Sequence, residues 1–332
     1  MHHFFVQSST TEISALWAIE KQDLKQSEIQ FVTLRGYQPF SKYAAIEVEK
    51  NWHKRRYWKK LPRRQRLKHI MQTIGLNSGD QVYTPQCRLP FITIIHFSKL
   101  TVRINLIEEG TSNYIYKIDQ PPYKNSFRMK KNEIIITLLK LLFGQKNIYR
   151  FGGKVFFTSY VHNAFLLSEG ANTDFPKEKR IVGDFKNLCS RIEPNRENVR
   201  EATSILVLDP LPSKLEEKIT TVEKLISFVE NKKSLNSKVI IKPHPKDDIT
   251  TISDTIKSRS LQIKISSAPI EILNLSHEIT EIFVGISSTA LYAVLLDIPI
   301  TVIDFPTDKK NLFEQKISQV IDEASNTQHI PS

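Results

Sequence analysis

The sequence predicts an α/β protein built from two Rossmann-like domains, and three observations predict this class. The 332 residues are enough for two ordinary domains. Short apolar runs alternate with segments of helical periodicity, which is typical of parallel sheets with right-handed crossovers. Polar loops with glycine or proline follow several of the apolar runs, where the strands of such sheets end and bind ligands.

In the first half, the apolar strand "HFFVQS" (3–8) is followed by a Ser/Thr N-cap and by the helix "TEISALWAIEKQ". The helix "PFITIIHFSK" begins at Pro90. Further strands are predicted at 28–34, 81–86, 101–110 and 154–160. The polar segment "EPNRENVREATS" (193–204) then precedes a new strand, so the domains are predicted to be 1–195 and 196–332.

The second half repeats the alternation. The predicted strands lie in "SILVLDP", "SKVIIKPHP", "SLQIKISSAP", "EIFVGISS" and "IPITVIDF". The predicted helices lie in "SKLEEKITTVEKLISFVENKK" and "TALYAVLLD", with the start of another in "IEILNLSH". Each strand leads into a loop, so the second domain also predicts a ligand-binding edge.

Composition excludes several classes of protein. With 40% hydrophobic and 25% charged residues, the chain is globular rather than disordered. Its two cysteines form no disulfide framework and no metal-ligand spacing, so a reducing cytoplasm is expected. The N-terminus has no signal-peptide pattern, and the apolar runs are too short or too interrupted to span a bilayer.

Charge is distributed unevenly along the chain. Residues 1–200 hold 33 Lys and Arg against 17 Asp and Glu, a net charge of +16, whereas residues 201–332 have a net charge of −4. The densest basic run, "HKRRYWKKLPRRQRLKH" (53–69), has nine Lys and Arg and no acid. Nucleic acid, an anionic membrane surface and a phosphorylated glycan are the classes of partner that would complement it.

A peripheral membrane contact is the interpretation favoured for this run. Its candidate contact residues are Arg55, Arg56, Lys59 and Lys60. The interleaved aromatic residues Trp52, Tyr57 and Trp58 are of the kind found at the headgroup boundary. A contact with the acceptor substrate, or a plain solvated helix face, are the alternatives.

Three loops that follow predicted strands contain groups suited to catalysis or phosphate binding. The first is Glu108-Glu109-Gly110, where a carboxylate at a strand end is a candidate general base. Alternate residues of a strand point to opposite faces, so only one of the two acids should face a ligand, and the pattern alone leaves open which one.

The second loop is "KPHP", in which two prolines fix His244 just past a strand end, with Lys242 and Pro245 beside it. The third is "GISST", in which Gly285 allows close backbone approach and Ser287, Ser288 and Thr289 precede or begin a helix. Hydroxyls and a helix N-terminus bind phosphate well.

The ordered set "EEG", "KPHP" and "SST" resembles the motifs of bacterial sialyltransferases of the two-domain GT-B type, including polysialyltransferase-like enzymes. The similarity covers roughly residues 1–305. It implies two Rossmann-like domains facing a central cleft, with the acceptor and the base on the first and a CMP-sugar on the second. "SSAPIEILNL" resembles the segment in which these enzymes place a glutamate near the nucleotide, here Glu271.

The resemblance also implies a mechanism. Sialic acid, or a related 2-keto sugar acid, would move with inversion from a CMP-sugar to a hydroxyl of a cell-surface glycan such as lipooligosaccharide or capsule. Glu109, or else Glu108, would take the hydroxyl proton, and His244 with the serine hydroxyls would stabilise the leaving phosphate without metal or other cofactor. Such an enzyme would work at the inner face of the bacterial membrane.

Three alternatives remain open at this point. The donor sugar could be 3-deoxy-manno-octulosonic acid or pseudaminic acid, which are also CMP-linked 2-keto acids. A CDP-polyol phosphotransferase shares the His-Pro and Ser-Ser features, although Gly285 stands where those enzymes usually have an acid. A basic nucleic-acid-binding protein is the alternative from another class, and it is disfavoured because no recognised binding module is present.

Overall fold

The computed structural model describes only part of the chain. The described residues are 1–86, 89–98, 100–110, 138, 142, 148–151, 154–157, 161–168, 171, 175–191, 202–208, 211–232, 238–243, 249–257, 263–266, 273, 278–284 and 288–303. The chain divides into two compact units, Met1–Leu188 and Cys189–Ser332.

The strands of the first unit are β1 (His2–Val6), β2 (Ile29–Thr33), β3 (Ala45–Glu47), β4 (Gln81–Thr84), β5 (Arg103–Ile107), β6 (Ile148–Phe151), β7 (Lys154–Phe157), β8 (Ala164–Leu166) and β9 (Arg180–Val182). Within the described residues, a seven-stranded sheet has the order β3-β2-β1-β4-β5-β8-β9. Its neighbouring strands are all parallel, so their carboxyl ends share one edge.

The described helices of this unit are α1 (Ser9–Lys21), α2 (Arg55–Lys59), α3 (Arg63–Ile74) and α4 (Pro90–His96), and α5 (Phe185–Arg191) begins in this unit and ends in the second. Side chains alternate across the sheet, so Phe4 and Phe5 belong to different core clusters. Phe4 packs with residues of α1, and Phe5 packs with Phe91 of α4 and with residues of α2 and α3. The sheet is therefore covered on both faces, as in doubly wound folds.

Local sequence explains where these helices begin and end. Ser8 and Thr11 form a reciprocal capping box at the start of α1. Pro62 separates α2 from α3, because proline cannot continue a helix but precedes one readily. Gly75 ends α3 in the left-handed conformation at φ 67°, which glycine adopts at least cost.

The segment predicted as a strand at 154–160 pairs differently from the other strands. β7 pairs with β6 in a separate antiparallel ladder. Two residues separate these strands in the sequence, a spacing that suits a hairpin and is too short for the crossover that parallel strands need.

The second unit contains the strands β10 (Ala202–Val207), β11 (Lys238–Lys242), β12 (Ile263–Ile265), β13 (Glu278–Val284) and β14 (Ile300–Val302). Its described helices are α6 (Leu215–Lys232), α7 (Ile249–Lys257) and α8 (Ser288–Leu295). The described strands form a parallel sheet in the order β12-β11-β10-β13-β14. Buried residues of β10, β11, α6 and α7 form one core cluster.

The predicted α/β class with two Rossmann-like units, the architecture of GT-B enzymes, is confirmed. Each unit has its own parallel sheet and its own core. The expected roles of the two domains stay predictions.

Candidate active site

The carboxyl edge of the first sheet brings three polar side chains together. The strands β1, β4 and β5 are neighbours in the sheet, and Gln7, Gln86 and Glu109 follow their respective ends. The Nε2 of Gln7 donates to Glu109 Oε1 at 2.6 Å, and the Nε2 of Gln86 contacts both oxygens of the same carboxylate. Glu109 is thus held from two sides at the edge where parallel sheets bind ligands.

The adjacent Glu108 lies in a different environment. It is fully buried, and its Oε2 accepts a hydrogen bond from the backbone N–H of Leu167 at 2.7 Å. Its own backbone N–H donates to Ser14 Oγ at 2.9 Å. Glu108 therefore links β5 to the end of β8 and to α1, which is a structural arrangement.

Glu109 differs from Glu108 in being only partly buried. The two amide N–H donors fix the orientation of its carboxylate. Gly110, which follows, has φ 140°, a conformation that side-chain-bearing residues rarely adopt. The "EEG" triplet therefore combines a buried acid, a partly exposed acid and a backbone turn that needs glycine.

The backbone at both glutamines is fixed by threonine hydroxyls. Thr11 Oγ1 accepts from the N–H of Gln7 and from that of Ser8, each at 2.9 Å. Thr84 Oγ1 donates to the carbonyl oxygen of Gln86 at 3.1 Å. Neither glutamine was predicted to be functional, although both lie at the ends of segments predicted as strands, 3–8 and 81–86.

The candidate donor site lies at the carboxyl edge of the second sheet. β11 ends at Lys242 and β13 ends at Val284, and both strands pair with β10. Strands lie about 4.8 Å apart, so the two strand ends are separated by about 10 Å.

The helix α8 begins at Ser288, and Thr289 in its first turn is partly buried. Lys242, at the end of β11, is also partly buried, and its carbonyl accepts from Leu208 N–H at 2.9 Å. The predicted donor-site residues His244, Pro245, Glu271, Gly285 and Ser287 lie outside the described residues. Their roles stay predictions.

No group of three or more His, Cys, Asp or Glu side chains suited to a metal ion occurs among the residues that the structure describes.

The basic run of the first unit forms α2 and most of α3. Arg55, Arg56, Lys59 and Lys60 are all exposed. Trp52 and Trp58, in contrast, are 1% and 2% exposed and pack against each other, with Trp58 Nε1 donating to the carbonyl of Trp52 at 2.7 Å. The expectation that these two tryptophans lie at a headgroup boundary is wrong, because the hydrophobic core takes up their rings.

Within the described part of the chain, no helix is both long enough and apolar enough to cross a bilayer.

Comparison with known proteins identifies a family model that matches most of the chain. The model described as "Alpha-2,8-polysialyltransferase (POLYST)" matches residues 15–303. This range includes the "EEG", "KPHP" and "SST" motifs. No curated protein sequence matches the chain.

Among solved structures, UDP-GlcNAc 2-epimerase from Methanocaldococcus jannaschii, in complex with UDP-GlcNAc and UDP, is 15% identical, with a TM-score of 0.49. The match covers 98% of this chain and 93% of the epimerase. UDP-GlcNAc 2-epimerase from Neisseria meningitidis, bound to UDP-GlcNAc, is 10% identical with a TM-score of 0.44, over 100% of this chain and 92% of that one. At this level of similarity, neither structure indicates what the chain binds.

Proposed function

The chain belongs to the alpha-2,8-polysialyltransferase family, and from this premise we propose that it transfers sialic acid from CMP-sialic acid to a hydroxyl of a cell-surface glycan, with inversion and without a metal ion. Membership in the family makes the chain a sialyltransferase-type glycosyltransferase. The donor, the stereochemistry and the acceptor are the proposed part. Lipooligosaccharide and capsule are the acceptor classes that we propose.

The observation that supports the proposal most directly is the position of Glu109. Its carboxylate follows the end of β5 at the ligand-binding edge and is held by two amide donors. In the proposed step, the acceptor hydroxyl oxygen attacks the anomeric carbon of sialic acid and gives its proton to Glu109. The bond from that carbon to the phosphate oxygen breaks, and its electron pair leaves with CMP.

The donor half of the mechanism rests on the second unit. We propose that His244, Ser287, Ser288, Thr289 and the start of α8 stabilise the charge on the departing phosphate, with Lys242 adding positive charge. CMP carries one phosphate, so hydrogen-bond donors and a helix N-terminus suffice to stabilise it. Glu271 would bind the ribose hydroxyls, Gly285 would admit the phosphate and Pro245 would help to fix His244.

A donor screen tests the proposal. The purified protein is incubated with a sialylated oligosaccharide acceptor and with each donor of a panel. The donors are CMP-sialic acid, the CMP-linked forms of 3-deoxy-manno-octulosonic acid and pseudaminic acid, CDP-glycerol and UDP-sugars. Released nucleotide and extended acceptor are both measured. We expect turnover with CMP-sialic acid, whereas turnover with only another CMP-linked 2-keto acid, or with CDP-glycerol, would identify the corresponding alternative.

A second arm of the screen tests metal independence. We expect the rate with CMP-sialic acid to be unchanged by excess EDTA, because the proposed phosphate ligands are side-chain donors and a helix N-terminus. Loss of turnover with EDTA, restored by magnesium or manganese, would contradict this part of the proposal.

A further inference from the structure

We infer that Gln7 and Gln86 prepare the candidate active site, with Gln86 as a positioning residue for Glu109 and Gln7 as a residue that joins Glu109 to the acceptor sugar. This inference rests on the proposed function and extends it to two side chains that no motif contains. Both reach Glu109 from neighbouring strands, and they are 102 and 23 residues away from it in the chain.

The amide groups of Gln7 and Gln86 can face the Glu109 carboxylate in only one orientation. An ionised carboxylate only accepts hydrogen bonds, so the nitrogen of each amide must face Glu109. This requirement fixes the orientation of the Gln7 amide, which is otherwise ambiguous because its oxygen and nitrogen have similar shapes. The Oε1 of Gln7 must then point away from the carboxylate.

The amide oxygen of Gln7 lacks a hydrogen-bond donor within the described part of the chain. The Oε1 of Gln7 is buried, and no donor among the described residues reaches it. A buried acceptor without a partner is costly, so such groups in native proteins usually have a partner or a function. A hydroxyl or acetamido N–H of the acceptor sugar, bound beside the carboxylate that takes its proton, is the class of donor that would complete the site.

Hydrogen bonds also fix the backbone of both glutamines. The backbone of Gln7 is held by Thr11 in the capping box of α1, and that of Gln86 is tied to Thr84. Side chains whose backbone and amide groups are already hydrogen-bonded lose little freedom when they bind substrate, which is the condition for precise placement of a base. Gln7 and Gln86 are therefore preorganised by the ends of β1 and β4.

The experiment compares Gln7→Met and Gln86→Met with the control Gln30→Met. Methionine has a similar length and no strong hydrogen-bond donor. Gln30 is also partly buried and belongs to the same sheet, but it lies near the amino end of β2 and contacts His3. Steady-state rates with CMP-sialic acid are measured for these variants and for the combination of Gln86→Met with Glu109→Gln, and thermal unfolding is measured in parallel.

We expect kcat to fall about tenfold to a hundredfold in both variants. Because Gln86 is proposed to act only through Glu109, we also expect Gln86→Met to change the residual rate of Glu109→Gln much less than it changes the wild-type rate. The KM for the acceptor should rise only in Gln7→Met, and the KM for the donor should change in neither. The control should have the wild-type rates.

Acceptor analogues that lack single hydroxyl or acetamido groups identify the partner of Gln7. One of them should react about tenfold or more slowly than the full acceptor with wild-type protein, and this difference should be lost in Gln7→Met. Equal losses in both proteins for every analogue, or an unchanged acceptor KM, would overturn the acceptor contact. Equal losses of rate from Gln86→Met in the wild-type and Glu109→Gln backgrounds would overturn the positioning role.

Two measurements keep the inference testable if a variant is unstable or if the donor proposal fails. Gln7→Glu keeps the side-chain size and replaces the amide donor with a second acceptor beside Glu109, so it should lower kcat at least as much as Gln7→Met. The ¹³C chemical shift of the Glu109 carboxyl, assigned by comparison with Glu109→Gln, should change in Gln7→Met and in Gln86→Met, because each variant removes a hydrogen-bond donor to this carboxylate. This signal needs no turnover, so an unchanged chemical shift refutes the positioning role whichever donor the enzyme uses.

Discussion

Glu108 and Glu109 are neighbours in the chain, but their carboxylates have different surroundings. Glu108 is buried, and its carboxylate accepts a hydrogen bond from the backbone N–H of Leu167. Glu109 is partly exposed, and its carboxylate accepts hydrogen bonds from two glutamine amides. Alternation along an extended segment separates them. The two residues should therefore differ in what their substitution changes.

We predict that Glu109→Gln loses turnover by about a hundredfold or more, which is the usual effect of removing a general base. Its thermal stability and its CMP affinity should be unchanged, because the base acts on the acceptor. The matched variant Glu108→Gln should instead lower stability, since it alters a buried group that links β5 to β8. Calorimetry with CMP and thermal unfolding distinguish the two, and normal turnover in folded Glu109→Gln would remove this residue from the mechanism.

A second residue-scale feature is the acid at the amino edge of the first sheet. Asp80 is 8% exposed and accepts hydrogen bonds from Asn77 N–H at 2.7 Å, from the Met1 ammonium at 2.9 Å and from His3 at 3.1 Å. Burial raises the pKa of the Asp80 carboxyl, but these hydrogen bonds outweigh it and hold the pKa below its usual 3.8. The ionised form is thus favoured by folding.

We predict that Asp80→Asn lowers the free energy of unfolding by about 1–3 kcal/mol at pH 7. Because the folded pKa is depressed, this contribution is complete above the unfolded pKa and is lost as pH falls through the folded pKa. The difference from wild type should therefore shrink below about pH 4. Asp23→Asn, at an exposed left-handed position (φ 49°) that asparagine also adopts, is the control, and an equal loss at every pH would contradict the prediction.

At the scale of single elements, packing determines which side chains of an amphipathic segment reach the surface. Trp58 on α2 faces the core, which leaves Arg55, Arg56 and Lys59 exposed. Tyr57 Oη lies 3.1 Å from His69 Nε2, so α2 also contacts α3. The exposed basic residues of α2 therefore belong to a helix whose aromatic side chains pack into the core and against α3.

The contact between α1 and the loop after β9 is unusually close and predicts a measurable effect. A Cβ added at Gly183 would lie 2.9 Å from Trp17 Cε2 and 3.1 Å from Leu188 Cδ1. We expect Gly183→Ala to lower the free energy of unfolding by about 1–3 kcal/mol, which is typical of overpacking. Chemical denaturation measures this change.

The double variant with Trp17→Phe supplies the control. A smaller ring relieves the contact, so Gly183→Ala should cost less in the Trp17→Phe background than in wild type. Equal costs in both backgrounds would mean that Trp17 does not cause the effect.

At the scale of the whole molecule, charge separates the two halves of the chain. Residues 1–200 have a net charge of +16 and residues 201–332 a net charge of −4. Positive potential attracts anionic surfaces over about a Debye length. A reversible contact with the inner face of the membrane, made by the first unit, is therefore our proposal for its location.

We predict that the protein co-sediments with anionic vesicles at low salt, that neutral vesicles bind it weakly, and that added salt releases it. Each basic residue near such a surface contributes about 1 kcal/mol, so replacing Arg55, Arg56, Lys59 and Lys60 with glutamine should remove most of the binding. The control replaces four exposed lysines of the second unit with glutamine: Lys214, Lys224, Lys238 and Lys264.

Equal losses from the two sets of substitutions would mean that net charge alone causes the binding. If wild-type protein does not bind anionic vesicles at low salt, the membrane proposal is wrong, and an acceptor contact or a solvated face remains for α2 and α3.

Much of the fold was predictable because local pattern and burial agree. The apolar runs at β1, β2, β4, β5, β10, β11 and β13 alternate with amphipathic helices, and the structure has strands in all of these runs. β3, β6, β8 and β9 were not predicted, because strands of three or four residues give short patterns that are recognised only where the surrounding alternation is clear, as at the equally short β12 and β14. The pairing of β6 with β7 was missed because a strand's pattern does not reveal its partner.

The sequence by itself determined the α/β class, the two-unit organisation and the motifs that follow strands at the carboxyl edges of both sheets. These features depend on side-chain period, on turn residues and on the order of short segments along the chain. The tertiary structure alone decided that Trp52 and Trp58 enter the core, that Glu108 is buried and that Gln7 and Gln86 meet at Glu109. Those outcomes depend on which strands become neighbours in the sheet, and strand order is a property of the whole packed unit rather than of any local pattern.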